Sequence, residues 1–514
     1  MKQIRLVSGI FTVGFWTLMS RVMGFVRDIL ISAYIGPGAV MDAFVVAFRL
    51  PNMFRRFFAE GAFNAAFVPM FSKRYEASEG AEAFASDALS WLSLAVLALT
   101  GAALVFMPAL VWATAEGFSG DERFDLAVGF GRVVFPYIFF ISLAALFSGV
   151  LNATGRFAAA AAAPVLLNII LSGAMLYAAQ AGGPVATALI WSIPLAGIAQ
   201  LALVWTAARR AGLRIVPRLP RPSPEMGRLL RVAVPAALAM GVVQVNLVVG
   251  QLVASDFEKA VSWLYAADRL YQLPLGVVGI AVGIVLLPDL ARRLKAGDDT
   301  GAQNAYSRAS EVSLALTLPS AVALIVIPLP LVSVLFQRGA FSGDDAAATA
   351  LAVSIYGLGL PAFVLQKTLQ PLFFAREDTR SPFHYALLAM VVNAALAFGL
   401  KPVIGWLAPA VAASVAAWIM VAQLSLGARR FGEVTRLDTR FRRRIWRICL
   451  SSAGMGALLW AANLALSPLF VAGGWRYLAL ALLVVLGMLG YFGLGALLGA
   501  FRLSDFRSAL RRGG

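Results

Sequence analysis

Arginines set inside apolar stretches are the residues of this chain whose type and spacing point to chemistry. The stretch SRVMGFVRDILISAYIG carries Arg21, Arg27 and Asp28. The stretch MDAFVVAFRLPNMFRRFFAEGAFNAAFVPMF carries Asp42, Arg49, Arg55, Arg56 and Glu60, and YAADRLYQLP carries Asp268 and Arg269. Ionisable groups at such positions are costly to desolvate, so they face a partner or a wet cavity. These three stretches hold six arginines against four carboxylates, so internal pairing leaves positive charge over. A guanidinium fork grips phosphate oxygens two at a time, which makes a phosphate or diphosphate the natural guest of a cavity lined this way.

Helical geometry gathers some of these groups. At about 100° per residue, Ser20 and Arg27 share one line of the first stretch, and Arg21, Gly24 and Asp28 share the neighbouring line. In the second stretch Asp42, Arg49, Arg56 and Glu60 fall within about 40° of one another on an unbroken helix, with Arg55 pointing elsewhere. Pro51 removes a backbone hydrogen bond and is expected to kink that helix, which leaves the choice between Arg55 and Arg56 open on geometry alone.

Other chemistries lack their residues. The chain contains no GxxxxGK[ST] phosphate loop and no metal-ligand spacing. Its one histidine, His384, lies at the start of an apolar run, and its one cysteine, Cys449, cannot form an internal disulfide. ATP hydrolysis, metal catalysis and serine hydrolysis are therefore not expected, and no cofactor is implied.

The elements that must position the arginines are membrane spans. The chain is 60% hydrophobic and 13% charged, with a mean hydropathy of +0.81, more apolar surface than a soluble fold of this size can cover. Its apolar runs are long and do not alternate, which selects helices over barrel strands. About fourteen spans are expected, near 8–34, 40–70, 85–112, 127–152, 159–180, 184–208, 229–254, 261–289, 310–335, 347–375, 382–400, 404–427, 445–467 and 475–500. The basic N-terminus and the apolar run after it read as the first span rather than a cleaved signal. A net charge of +17 could mark a nucleic-acid binder, but the basic residues sit in alternate connections, as in ARRAGLRIVPRLPRPSPEMGRLLR and ARRFGEVTRLDTRFRRRIWR. The other connections, AEGFSGDERFD and FSGDDAA among them, are neutral or acidic. That pattern follows the positive-inside rule, excludes nucleic acid as the partner and places both termini in the cytoplasm.

A duplication is legible as well. AFRLP and ADRLYQLP place Arg49 and Arg269 220 positions apart, Pro69 and Pro288 lie 219 apart, and LNATGRF and FFAREDTR place Ala153 and Ala375 222 apart. A repeat of six spans returns the chain to the same side, so the copies are parallel. The expected organisation is an all-α polytopic protein of two parallel six-helix lobes around a central cavity, with two extra C-terminal helices. The lobes run 1–208 and 229–427, joined by a basic cytoplasmic linker at 209–228, and a basic loop at 428–444 precedes the last two spans and tail at 445–514. MGRLLRVA after the linker's prolines suggests a short amphipathic segment, and a plain basic tether is the alternative.

SRVMGFVRD, MDAFVVAFRLPNMFRRFFAEGAFNAAFVP, YAADRLYQLPLGVVGIAVGIVLLP and REDTRSP together resemble the MurJ/MviN lipid II flippases, within the multidrug/oligosaccharidyl-lipid/polysaccharide exporter superfamily. The resemblance covers nearly the whole chain. It implies a transporter, not an enzyme, of the bacterial cytoplasmic (inner) membrane. Its implied substrate is lipid II, the undecaprenyl-diphosphate-linked peptidoglycan precursor, moved from inner to outer leaflet by alternating access and driven by the membrane potential or an ion gradient. It also implies that Arg21, Arg27, Arg55 and Arg269 bind the diphosphate, favouring Arg55 over Arg56. Ser20, Asp28, Asp42, Arg49, Arg56, Glu60 and Asp268 support the cavity, and the last two spans form a groove for the prenyl tail. Membrane lipids and cell-wall synthesis and division proteins are the further partners implied. The rival readings are a cation-coupled multidrug exporter, which the arginine excess opposes, a flippase for another prenyl-diphosphate glycan, and a scaffold working through its basic loops.

Overall fold

The computed structural model describes residues 2–55, 62–220, 222–471 and 474–501, and every regular element among them is helical. The first half holds α1 (Lys2–Tyr34), α2 (Ala39–Arg55), α3 (Ala62–Ala77), α4 (Ala81–Val105), α5 (Met107–Thr114), α6 (Glu122–Val134), α7 (Tyr137–Ala153), α8 (Ala158–Gln180), α9 (Val185–Arg210) and α10 (Pro224–Ser255). The second holds α11 (Ala260–Lys295), α12 (Asp299–Val326), α13 (Pro328–Phe336), α14 (Gly343–Phe374), α15 (Arg380–Ile404), α16 (Ala408–Ala428), α17 (Thr439–Val471) and α18 (Trp475–Leu497). The expected spans fall on these helices, three of them on broken pairs, α4 with α5, α6 with α7, and α12 with α13, while the span expected at 40–70 covers α2 and α3, with residues 56–61 between them outside the described residues. Nine runs among the described residues are long and apolar enough to cross a membrane, and one of them, Arg380–Thr435, holds two expected spans. The other expected spans lie on α1, on α2 with α3, on α10 and on α11.

The chain divides into two compact units, residues 1–262 with 339–341, and residues 263–338 with 342–514. In the first, α1 packs on α8, α7 and α8 pack on α9, α4 on α7, α2 on α6 and α10 on α3. Gln200 of α9 ties three helices at one buried point. Its Nε2 donates to Ala163 O at 2.8 Å and its Oε1 accepts from the Tyr137 hydroxyl at 3.1 Å. Between α9 and α10 the described residues 213–220 and 222–223 form no helix. Leu213 and Ile215 are buried, and the N–H groups of Val216 and Arg218 donate to the hydroxyls of Ser86 and Ser90 on α4 at 3.3 and 2.7 Å. Ser223 then caps α10 by accepting from Met226 N–H.

The second unit repeats part of that plan. There α14 and α15 pack on α16, and α12 on α14. The break between α4 and α5 falls at Phe106 and that between α12 and α13 at Ile327, 221 positions apart, each followed by proline in the first turn of the next helix. Asn168 of α8 and Asn393 of α15, 225 positions apart, are both buried. The paired breaks share the offset of the sequence repeat, and the two asparagines lie three positions beyond its range. The final pair, α17 and α18, packs together, with α17 against α12. Met455, Leu459, Leu483 and Tyr491 form one apolar cluster with Ile327, and the Tyr491 hydroxyl donates to Ala315 O at 2.6 Å.

Charge braces the ends of this unit. Glu311 of α12 accepts from Arg308 and, at 2.8 Å, from Arg444 Nη1, with Arg440 at 3.5 Å. Asp438 accepts from Arg308 and caps α17 through Phe441 N–H at 2.7 Å. Between α14 and α15, Asp378 accepts from Ser381 N–H at 3.0 Å and from Arg430. The Ser381 N–H foremost, together with Arg430, holds the Asp378 carboxyl below its usual range despite some opposing burial.

Two outcomes follow from these braces. Glu311→Gln takes a buried carboxylate from three arginines, of which Arg444 is nearly buried and Arg308 and Arg440 are more open, and is expected to cost about 1–2 kcal/mol. Glu433→Gln breaks only the exposed pair with Arg436 and is expected to cost less than about 0.5 kcal/mol. Thermal unfolding of the purified protein in detergent orders the two. For Asp378 the lowered folded value means stabilisation above the unfolded value that is lost as pH falls through the folded one. Asp378→Asn should therefore lower Tm at about pH 7, with the gap to the parent closing as pH falls toward about 3.

Candidate functional site

In α1 the arginines are treated differently. Arg21 is exposed, whereas Arg27 is 8% exposed. Arg27 Nε and Nη2 donate to Asp28 Oδ1 at 3.0 and 2.7 Å, and Nη1 donates to Asn168 Oδ1 on α8 at 2.9 Å. Asn168 in turn donates through Nδ2 to Ser20 O at 3.0 Å and Pro164 O at 3.3 Å. Gly24 gives Asn168 its room, since a Cβ at that position would already touch Asn168 Nδ2 at 3.4 Å. A longer side chain there would push α8 away. Ser20, Arg27 and Asp28 are thus gathered at one point on α1, and the residue that gathers them is Asn168.

Asp42, in the first turn of α2, lies elsewhere. It is fully buried and accepts from Lys259 N–H at 3.0 Å, from Ser262 N–H at 2.9 Å and from the Ser262 hydroxyl. The first amides of a helix have no acceptor within it, and an anion at that end is favoured by the helix dipole. Asp42 supplies that anion to the start of α11. Arg123 Nη1 lies 3.7 Å from Asp42, and the same guanidinium donates to Asp121 Oδ2 at 2.6 Å, Ser255 O at 3.1 Å, Gly117 O at 3.3 Å and Phe257 O at 3.4 Å. It also lies over the Phe118 ring at 4.5 Å. One buried ion pair therefore joins the turn between α10 and α11 to α2 and α6.

Arg49 and Arg55 are half-buried on α2. The helix runs on through Pro51, and Asn52 Nδ2 donates to Phe48 O at 2.8 Å just past it. Arg56 and Glu60 lie outside the described residues. In the second unit Arg269 is half-buried on α11, its guanidinium carbon 4.4 Å from the centre of the Tyr265 ring. Its neighbour Asp268 accepts from Gln272 Nε2 and is hydrogen-bonded to Tyr271, whose ring is tilted against Tyr356 at 4.8 Å and stacked on Phe363 at 5.4 Å, both on α14. Among the described residues no group of three or more His, Cys, Asp or Glu side chains could hold a metal ion.

Asn168, Arg123 and Tyr265 were not among the candidates read from the sequence. A lone asparagine inside VLLNIILS is a signal, because an amide in an apolar span needs a partner. Arg123 carried none, lying in a connection whose overall charge is acidic.

Residues 31–486 match the family described as "Lipid II flippase MurJ". The chain is 45% identical over 517 residues to a "Probable lipid II flippase MurJ" of Rhizobium tropici, covering 99% of this chain and 97% of that one. It is 34% identical to the "Lipid II flippase MurJ" of Burkholderia cenocepacia, covering 84% and 85%. Its fold is similar to a solved lipid II flippase MurJ in an inward closed conformation, with TM-score 0.79, 24% identity and coverage of 94% and 98%. It is also similar to an inward-facing multidrug resistance MATE family transporter of the MOP superfamily, with TM-score 0.70, 15% identity and coverage of 84% and 99%.

The Arg27 cluster yields a direct test. Asn168→Ala removes an acceptor from a buried guanidinium and a donor from Ser20 O, at an expected cost of about 1–3 kcal/mol. Asn168→Asp keeps the acceptor and should cost less. Thermal unfolding of both variants checks the order.

Proposed function

We propose how this chain, which belongs to the lipid II flippase MurJ family, carries its substrate across the bacterial inner membrane. It is a transporter rather than an enzyme, and lipid II, the precursor of peptidoglycan, is what it moves. In the proposed cycle the diphosphate of lipid II is received by Arg21, Arg27, Arg55 and Arg269 in a wet central cavity. Ser20, Asp28, Asp42, Arg49, Arg56, Glu60 and Asp268 support that lining. The sugar-peptide head shares the cavity, and the prenyl tail stays in lipid or along a groove beside α17 and α18. Two parallel lobes, 1–208 and 229–427, alternate access by rocking, with both termini in the cytoplasm. The membrane potential or an ion gradient drives the cycle, and the basic cytoplasmic segments contact membrane lipids and cell-wall synthesis and division proteins.

The observation that carries this reading is Arg27. Its guanidinium is kept charged inside a membrane helix by a carboxylate and an amide, so an anion that arrives there can exchange with Asp28 for its donors. A carrier of cationic drugs on the same fold would use carboxylates in an apolar cavity, not an excess of arginine.

Arg27→Ala or Arg269→Ala is expected to abolish growth of a strain depleted of its own flippase while the variant still reaches the membrane at parental level. Full growth with Arg21, Arg27, Arg55 and Arg269 all replaced by alanine would remove the diphosphate assignment. Leaflet accessibility of lipid II in the depleted cells tests the transport step itself.

A further inference from the structure

We propose that Arg338 and Arg476 form a second anion site at the outer face of the membrane, which receives the diphosphate of the delivered lipid as it leaves the carrier. The proposal rests on the orientation and the substrate given above and extends them to a later step of the cycle.

Arg338 follows the end of α13, and Arg476 lies in the first turn of α18. Arg338 Nη2 donates to two carbonyls in the last turn of α13, Val334 O at 2.7 Å and Leu335 O at 2.9 Å. Arg476 Nη1 donates to Gln337 O at 3.0 Å, and its Nη2 donates to the Tyr477 hydroxyl at 3.2 Å. The two guanidinium carbons stand 5.9 and 5.2 Å from the centre of the Tyr477 ring. All of these partners are neutral, and among the described residues neither arginine is paired with a carboxylate. Asp345, close to Arg338 in sequence, is engaged elsewhere, accepting from Ser342 N–H and hydroxyl at 3.0 and 2.7 Å and from Trp263 Nε1 at 3.0 Å. Both arginines remain partly exposed.

Two cations at this end of the spans run against two general tendencies. The positive-inside rule leaves few arginines in outer connections. A cation in the first turn of a helix, as Arg476 is in α18, meets the positive end of the helix dipole. Capping the carbonyls of α13 accounts for where Arg338 sits, but a neutral donor would cap them as well. What a neutral donor lacks is charge, and two charges at one place suit an anion that carries more than one. A phospholipid phosphodiester carries a single negative charge, whereas a diphosphate carries more. The surface below the arginines suits the tail of such a lipid. Leu478, Leu482, Val485, Leu489 and Phe492 are all exposed and follow one another at steps of three and four residues, which makes one apolar stripe down α18. At 1.5 Å per residue the stripe runs about 20 Å. A chain lying on it brings its head to Arg476.

Native mass spectrometry of the full-length protein titrated with undecaprenyl diphosphate tests the site. The parent is expected to bind one molecule in the cavity and a second at the outer site. Arg338→Gln/Arg476→Gln keeps amide donors for the carbonyls but removes both charges. It is expected to bind the second molecule roughly 10- to 100-fold more weakly. Arg338→Lys/Arg476→Lys keeps the charges and should stay close to the parent, whereas Arg27→Ala should lose the cavity molecule and keep the outer one. A single bound molecule in the parent, or parental binding in the glutamine pair, would overturn the outer site. So would an equal loss of phosphatidylglycerol from the glutamine pair, the mark of an ordinary phospholipid anchor. Equal loss in the glutamine and lysine pairs would reduce both arginines to braces of α13 and overturn it too. If Arg27→Ala keeps both molecules, the cavity assignment falls instead. Gly474→Cys in a Cys449→Ser background, probed in spheroplasts with a membrane-impermeant maleimide, separates the orientation from the site, since absence of labelling from outside would overturn the orientation.

Discussion

A guanidinium withdrawn from water must be met by polar groups, and the way Arg27 is met organises the packing of α1. Asp28 supplies the counter-charge from the next residue, and Asn168 closes the remaining edge from α8. Because Asn168 also donates to Ser20 O, it bonds to α1 at two levels, beside Gly24, where a Cβ would come into ordinary contact with it. The same α8 is bonded to α9 through Ala163 O and Gln200, and Gln200 holds Tyr137 of α7. One chain of buried hydrogen bonds therefore links α1, α8, α9 and α7. In an apolar surrounding each link matters because its loss strands the groups on either side.

Much of this architecture is legible in the residues, and the limits of legibility have physical causes. Apolar runs show their length directly, so the helices that carry Arg21, Arg27, Asp42 and Arg269 fall where hydropathy places them. The duplication shows through Arg49 with Arg269 and Pro69 with Pro288, and the paired helix breaks at Phe106 and Ile327 carry the same offset. Periodicity, however, gives the face of a helix and not what lies against it. It aligned Asp42 with Arg49, yet the partners of Asp42 are the amides of Lys259 and Ser262 at the start of α11 and an arginine in the first turn of α6. The linker shows the same limit. Its prolines and arginines describe a tether, and what pins it to α4 is a pair of hydroxyls, Ser86 and Ser90, more than a hundred positions away.

The way an arginine is held decides what an arriving anion can do there. Arg27 is held in its plane by a carboxylate, so a diphosphate reaching it must compete with Asp28. The guanidinium carbon of Arg269 lies 4.4 Å from the centre of the Tyr265 ring. A carrier has two requirements. Binding must be favourable enough to draw a diphosphate out of the headgroup layer, yet weak enough that the diphosphate leaves on the other side. Arginines without any resident anion would repel one another when the site is empty and hold the guest too tightly when it is full. A resident carboxylate such as Asp28 lowers both extremes. In the proposed cycle it would neutralise part of the empty site and displace the departing guest by reclaiming its arginine. On this reasoning the carboxylates among the arginines are what turn an anion-binding site into one that can let its anion go.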